Sequence, residues 1–362
     1  MHVDGFRFDL ASVLSRGVTG DPQADPPILW LINTDPALAG TMIIAEAWYA
    51  AGLYLVGSFA GERFAELNGP YRDEVRRFVR SDRALCGAIA HRIMGSPDLY
   101  PHLNRGPNYS IHFVTCHDGF TLHDLVSYNN KHNEANGEDS RDGANDNWSW
   151  NCGTEGPTED LDVQALRLKQ AKNMFVLWAM SQGTPMMLMG DEVLRSQQGN
   201  NNAYCQNNEL SWFDWERLTT QKDFLSFVQQ LIDLIQNLSL FKHDESLAVA
   251  DYSPHESRLE PVISWHGTRL GQPDWGEDSR SLSFTLRYRQ HGELLHIILN
   301  AFWEPLTFEL PPLAAGNHWQ RIVDTALAAP QDIFPIEQAP KIEQSRYSAA
   351  PRSSVILMTN SW

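Results

Sequence analysis

Positive charge is in short supply in this sequence: 28 lysines and arginines stand against 45 aspartates and glutamates, for a formal net charge of −17 over 362 residues. Such an excess repels phosphate backbones and anionic bilayers, so neither nucleic acid nor a membrane is expected as a partner. Long apolar runs are missing too, since no stretch approaches the ~20 consecutive apolar residues that cross a bilayer. The opening Met1-His2-Val3-Asp4-Gly5-Phe6 shows neither a basic leader nor an apolar stretch before a small-residue cleavage site. A cytoplasmic location is the expectation drawn from it. Cysteine is scarce: Cys86, Cys116, Cys152 and Cys205 lie far apart and form no CxxC pair. They are too few to staple a chain of this length and read as isolated, reduced thiols. No spacing matches a metal or phosphate motif, so no metal and no cofactor are expected.

What is present is a change of texture along the chain. A length of 362 residues exceeds the roughly 250–300 at which a single core stops growing, which predicts two domains. In the first, Val3–Asp9 alternates in polarity, while Thr41–Glu46, Ile111–Asp118 and Thr184–Glu192 are near-continuous apolar runs ending in acids. Such runs read as parallel strands covered on both faces. Helical periodicity separates them at Arg72–Arg80, at Val163–Met180 with Thr158 as a candidate cap, and at Phe224–Leu238. Strand–helix alternation predicts a parallel sheet. From about residue 247 short β runs such as Ser281–Tyr288, Leu294–Asn300 and Ser354–Met358 take over, predicting an antiparallel β-sandwich. The expected boundaries are 1–244 and 245–362. A polar segment, Asn129–Asp160, carrying Trp148 and Trp150, reads as one long loop.

In a barrel of parallel strands, reactive groups sit where strands end and loops begin. Asp9, Glu46, His117 and Asp118 all occupy such ends, and several acids at one mouth suit glycoside hydrolysis, which needs two carboxylates. On any one strand, the same acid could equally cap a helix or face water.

The strings Gly5-Phe6-Arg7-Phe8-Asp9-Leu10-Ala11, Ile44-Ala45-Glu46-Ala47-Trp48 and Val114-Thr115-Cys116-His117-Asp118-Gly119-Phe120 resemble, in order, the signature regions on the fourth, fifth and seventh barrel strands of the α-amylase superfamily. Gly52–Phe59, Asn68–Phe78 and Gly199–Gln206 narrow the resemblance to isoamylases and bacterial glycogen debranching enzymes. The match covers most of residues 1–240. It implies an α/β fold in which a partial (β/α)8 TIM barrel, about strands four to eight, precedes the β-sandwich.

By this resemblance the function is hydrolysis of α-1,6 branch linkages in a branched α-glucan such as glycogen, amylopectin or limit dextrin. Asp9 would be the nucleophile, Glu46 the general acid and base, and Asp118 the third catalytic carboxylate, binding sugar hydroxyls. Arg7, His117 and Trp48 would contact substrate or orient the carboxylates. Relatives would have a first signature region ahead of Asp9, so a truncated reading frame is expected, whose missing N-terminal half could be a separate chain or be replaced in a homo-oligomer. Two alternatives remain: an α-1,4-acting amylase or glucanotransferase, and a noncatalytic glucan-binding subunit or inactive fragment. Three further features stay open at this stage. Asn200–Asn202 could meet sugar hydroxyls or build turns, Trp148 and Trp150 could stack on glucose or anchor their loop, and Asp191-Glu192 reads as a structural or rim element.

Overall fold

The computed structural model describes residues 3–49, 52–100, 106–242, 244–253 and 258–359. Its first sheet has five parallel strands, β1 (Gly5–Phe8), β2 (Met42–Ala45), β3 (Phe64–Leu67), β4 (Ser110–His112) and β5 (Thr184–Pro185), side by side in chain order. Sequence alone misses β3, because Phe-Ala-Glu-Leu is short and holds an acid. The acid is Glu66, fully buried, which accepts a hydrogen bond from the Gly57 amide at 2.6 Å. Gly5 is fixed by proximity, since a Cβ there would come within 2.8 Å of the Met42 carbonyl oxygen on β2.

Helices connect and cover these strands. Between β1 and β2 runs α1 (Pro27–Thr34), and between β3 and β4 run α2 (Gly69–Val79) and α3 (Cys86–Ile93). Asn68 caps α2 by accepting from the Tyr71 amide, and Pro70 fits the first turn, where its missing N–H costs nothing. Tyr71, Val75, Phe78 and Val79 then form one buried stripe. Helix α4 (Leu161–Ala179) is capped by Asp160, not Thr158, with the carboxylate accepting from the amides of Asp162 and Val163. Thr158 instead accepts from the Asp160 amide. Helix α5 (Lys222–Asn237) buries Phe224, Phe227, Val228, Leu231, Leu234 and Ile235. No helix among the described residues is long and apolar enough to cross a membrane.

The second sheet has seven strands: β6 (Ala248–Val249), β7 (Val262–His266), β8 (Ser281–Tyr288), β9 (Glu293–Asn300), β11 (Trp319–Asp324), β12 (Lys341–Ile342) and β14 (Ser353–Thr359). Their order is β12-β11-β14-β9-β8-β7-β6, antiparallel except for the β6–β7 pair. A ribbon of β10 (Leu306–Glu309) and β13 (Arg346–Ala349) makes a separate two-stranded sheet. The second layer is therefore much smaller than the sandwich expected from sequence, because the two faces of the large sheet have different partners. Leu294, Ile298, Val355 and Leu357 pack with Phe308 and Ala349 of the ribbon. The alternate residues Leu295, Ile297, Leu299, Ile356 and Met358 join one core with α2–α5. Each large apolar side chain so buried contributes roughly 1.5–3 kcal/mol.

Polar contacts fasten the same junction. The Lys172 ammonium of α4 meets the Asp332 carboxylate at 2.6 Å with both groups buried, and the Thr325 hydroxyl donates to Asn173 at 2.6 Å. Elsewhere apolar surface is open. Phe6 is 47 % exposed, Met42 65 % and Leu31 66 %, and no strand among the described residues pairs with the outer edge of β1 or of β5.

Candidate functional site

The register of β1 on β2 pairs Phe8 with Ala45, which brings the next residues, Asp9 and Glu46, to the same height at the strand ends. The Glu46 amide still donates to the Phe8 carbonyl, and the Ala11 amide donates to the Glu46 carbonyl. Leu10 turns the chain in the left-handed region at φ 44°, a conformation costing roughly 1–2 kcal/mol for a side chain of this kind. The turn aims the Leu10 amide at Glu46 Oε2, 2.7 Å away.

Arg7 sits between the two carboxylates. Its Nη1 donates to Asp9 Oδ1, and its Nη2 lies 3.1 Å from Glu46 Oε2. The carboxylates differ in environment: the Asp9 side chain is 60 % exposed and that of Glu46 only 2 %. Burial raises the Glu46 pKa above the usual carboxylate value, and the nearby Asp118 and Asp9 anions add to the rise, against the Leu10 amide and the Arg7 cation. One carboxyl group thus favours its proton beside one that faces water.

His117 and Asp118 come from the segment after β4. The strand ends at His112, so these residues are free of strand alternation and both reach the same mouth. His117 Nε2 stands 3.4 Å from Asp9 Oδ1, and its Nδ1 stands 3.9 Å from Asp118 Oδ1. The Cys116 thiol donates to Asp118 Oδ1, and its pKa is driven up by burial and then by that carboxylate, which keeps it protonated and unsuited to attack. Trp48 stacks between Tyr54, at 6.2 Å, and Phe113, at 6.4 Å, with the Arg72 guanidinium 5.9 Å from its ring. Arg7, Asp9, Glu46, His117 and Asp118 are therefore linked by contacts, and Trp48 stands in an aromatic wall built on Tyr54 and Phe113.

Two supports hold the segment around His117–Asp118, one a residue read from sequence as structural and one that the sequence does not signal. Asp191, fully buried after β5, accepts from the Thr115 hydroxyl and from the Leu122 amide at 3.0 Å, gripping both flanks of the His117–Asp118 turn. Burial pushes its pKa up to about 7. Arg76, buried on α2, donates to the Val114 carbonyl at 2.9 and 2.6 Å. Asp191 fills the structural role read for Asp191-Glu192 at a strand end, but nothing in the Arg76 neighbourhood of the sequence signals its partner.

The long loop is folded on itself. Asp142 Oδ2 accepts from Asn136 at 2.7 Å and Asn202 at 3.0 Å, while the Asn201 amide group donates to Ala144 and Asn147 at 2.8 Å each. These asparagines build the loop. Trp148 lies under Arg77 at 4.9 Å and Arg80 at 5.3 Å, and Trp150 under Arg352 at 4.5 Å, as anchors.

Parallel strands that deliver carboxylates to one mouth, followed by a β region, are the arrangement that the resemblance to the α-amylase superfamily implies. Residues 264–360 match the family model of the isoamylase 1-3 C-terminal region. The chain is 43% identical to rice isoamylase 3, chloroplastic, over 98% of its own length, and 40% identical to a glycogen debranching enzyme of Pectobacterium atrosepticum over 88%. It belongs to the isoamylase-type debranching family. It covers 44% and 46% of those two relatives, so it spans less than half the length of the curated proteins it matches. A pullulanase from Bacillus acidopullulyticus shares the fold, with a TM-score of 0.65 at 20% identity, over 99% of this chain and 38% of that one.

Proposed function

We propose that this chain carries the reacting carboxylates of an enzyme that hydrolyses α-1,6 branch linkages in glycogen- or starch-type glucans. The observation behind it is the single guanidinium of Arg7 holding an exposed Asp9 and a buried, proton-favouring Glu46 side by side. Retaining hydrolysis needs that asymmetry, with carboxyl groups roughly 5–5.5 Å apart.

In the proposed reaction the Asp9 carboxylate attacks the anomeric carbon while the Glu46 carboxyl protonates the departing glycosidic oxygen. The α-1,6 bond breaks and a glycosyl ester forms on Asp9. Glu46, now a carboxylate, takes a proton from water as that water attacks the same carbon, releasing Asp9 and restoring both groups. Configuration is retained after two inversions. Asp118 and His117 bind hydroxyls of the distorted sugar, and Trp48 flanks it. The five parallel strands correspond to strands four to eight of a (β/α)8 barrel. The remaining strands come from the part of the relatives' length that this chain does not span, in one polypeptide or as a separate subunit.

Reducing-end release from glycogen and amylopectin tests this, with the 362-residue chain and a form completed by the relatives' N-terminal region assayed side by side. The completed form is expected to liberate linear chains, and Glu46→Gln to slow it by about 10²- to 10⁴-fold. A folded, completed protein with Asp9 and Glu46 intact that frees no linear chains would sink the reading, and products cut only at α-1,4 bonds would reassign it.

A further inference from the structure

Cys116, His117 and Asp118 form the one cluster of three thiol, imidazole or carboxylate donors among the described residues, with their ligating atoms all within 4.8 Å of one another. Three consecutive residues of a strand could not converge in this way, because their side chains alternate between faces. Here β4 has ended at His112, and the segment after it is held from both sides, by Arg76 at the Val114 carbonyl and by Asp191 at the Thr115 hydroxyl. The fold therefore sets the three donors in place.

A thiolate, an imidazole and a carboxylate are the ligands that zinc takes in tetrahedral sites. Bonds of about 2.0–2.3 Å set such donors roughly 3.3–3.8 Å apart, and His117 Nδ1 stands 3.9 Å from Asp118 Oδ1. These two side chains are 57 % and 48 % exposed, so small rotations close the difference and water can reach the fourth position. The other ring nitrogen of His117, Nε2, faces Asp9 Oδ1 at 3.4 Å. A carboxylate there draws the ring proton to Nε2 and leaves the Nδ1 lone pair toward the cluster, the outer-sphere arrangement of zinc-bound histidines. Arg72 of α2 is a cation acting on Cys116 and Asp118, and it is paired with Asp73 at 2.7 Å. Calcium and magnesium, which want six or more oxygens, find one carboxylate among the three donors.

We propose that Cys116, His117 and Asp118 form a binding site for a thiophilic divalent cation such as Zn²⁺, and that its occupancy shuts the carboxylate mouth. The thiol proton that Cys116 gives to Asp118 leaves to solvent as the metal–sulfur bond forms. The bound cation holds His117 and Asp118 away from sugar hydroxyls and adds positive charge beside Asp9, so it competes with substrate. The blocking rests on the debranching reading above, whereas the site rests on its donors alone.

Titration of the 362-residue chain with Co²⁺, followed by its cobalt–thiolate charge-transfer absorption, tests the site. The absorption is expected to saturate, to be abolished by Zn²⁺ but not by excess Ca²⁺ or Mg²⁺, to vanish in Cys116→Ala and to persist in Cys205→Ser, which removes the exposed thiol. Asp9→Asn, which loses the outer-sphere partner, should weaken Zn²⁺ about tenfold, and His117→Ala, a change at an exposed side chain that leaves the core intact, should weaken it more. Absorption that survives Cys116→Ala, absorption lost in Cys205→Ser, or Zn²⁺ affinity unmoved by His117→Ala would each overturn the site. In the completed enzyme Zn²⁺ is expected to raise KM for amylopectin with kcat unchanged, and a chelator to reverse the effect. Glucan cleavage untouched by saturating Zn²⁺ overturns the blocking, while a completed protein that binds Co²⁺ through Cys116 and frees no linear chains removes the debranching reading alone.

Discussion

Arg7 touches both carboxylates proposed to react, so its removal separates electrostatics from chemistry. The cation lowers the Glu46 pKa, which burial has raised, so Arg7→Ala lets it climb further. In the completed enzyme the limb of the pH–rate profile set by loss of the Glu46 proton should move to higher pH, with a fall in kcat as Asp9 loses its orienting partner. An unmoved limb would show that Arg7 does not tune Glu46. At this scale the sequence was informative where a strand pattern ended in acid, as at Asp9 and Glu46, which the strand register brings together. It offered Arg7 as their partner but was silent on the Leu10 amide beside Glu46 and on the Thr115 and Arg76 contacts that shape the segment before His117–Asp118, because these act through folded geometry that no local pattern encodes.

Among elements, the stretch Ile111–Asp118 reads as one long strand, yet only Ser110–His112 pairs. Arg76 takes the Val114 carbonyl and Asp191 takes the Thr115 hydroxyl, so side chains replace the ladder and the backbone turns toward the mouth. Asp191→Ala should therefore depress kcat with little change in thermal melting compared with a core truncation, and Asp191→Asn, which still accepts, should recover part of the loss.

In the β region, His266 and His296 are buried and share the Thr285 hydroxyl at 3.0 and 3.1 Å. Burial lowers the His266 pKa to about 4 and takes His296 well below its usual value. The unfolded chain, titrating near 6.5, binds more protons than the folded one between that pH and about 4, so stability falls as pH drops through this window. Denaturant midpoints should show that decline, and the double variant His266→Gln with His296→Gln should flatten it.

For the molecule as a whole, the Lys172–Asp332 pair measures how firmly the β region is joined to the helices. Lys172→Met strands a buried carboxylate and should cost roughly 3–5 kcal/mol, whereas adding Asp332→Leu should restore much of it. Urea unfolding of the three proteins checks this, and equal losses in single and double variants would contradict it. The open edges of β1 and β5, with Phe6 and Met42 exposed beside the first, predict concentration-dependent association of the 362-residue chain in sedimentation velocity. The change from strand–helix alternation to short β runs was legible from hydrophobic texture, but the asymmetry of the second layer was not. The near-continuous apolar run Leu294–Leu299 says that both faces are buried and not which partner covers each.

The one core that runs through α4, α5 and the inner face of the large sheet carries a consequence for descent. Ile297 and Phe227 belong to the same buried cluster, so volume changes on the two sides of the junction fall within one packed core. The β region is therefore no exchangeable tail: a recombination joint cut near residue 245 would bring together surfaces with separate histories, and lineages of this chain are expected to have inherited the two halves together.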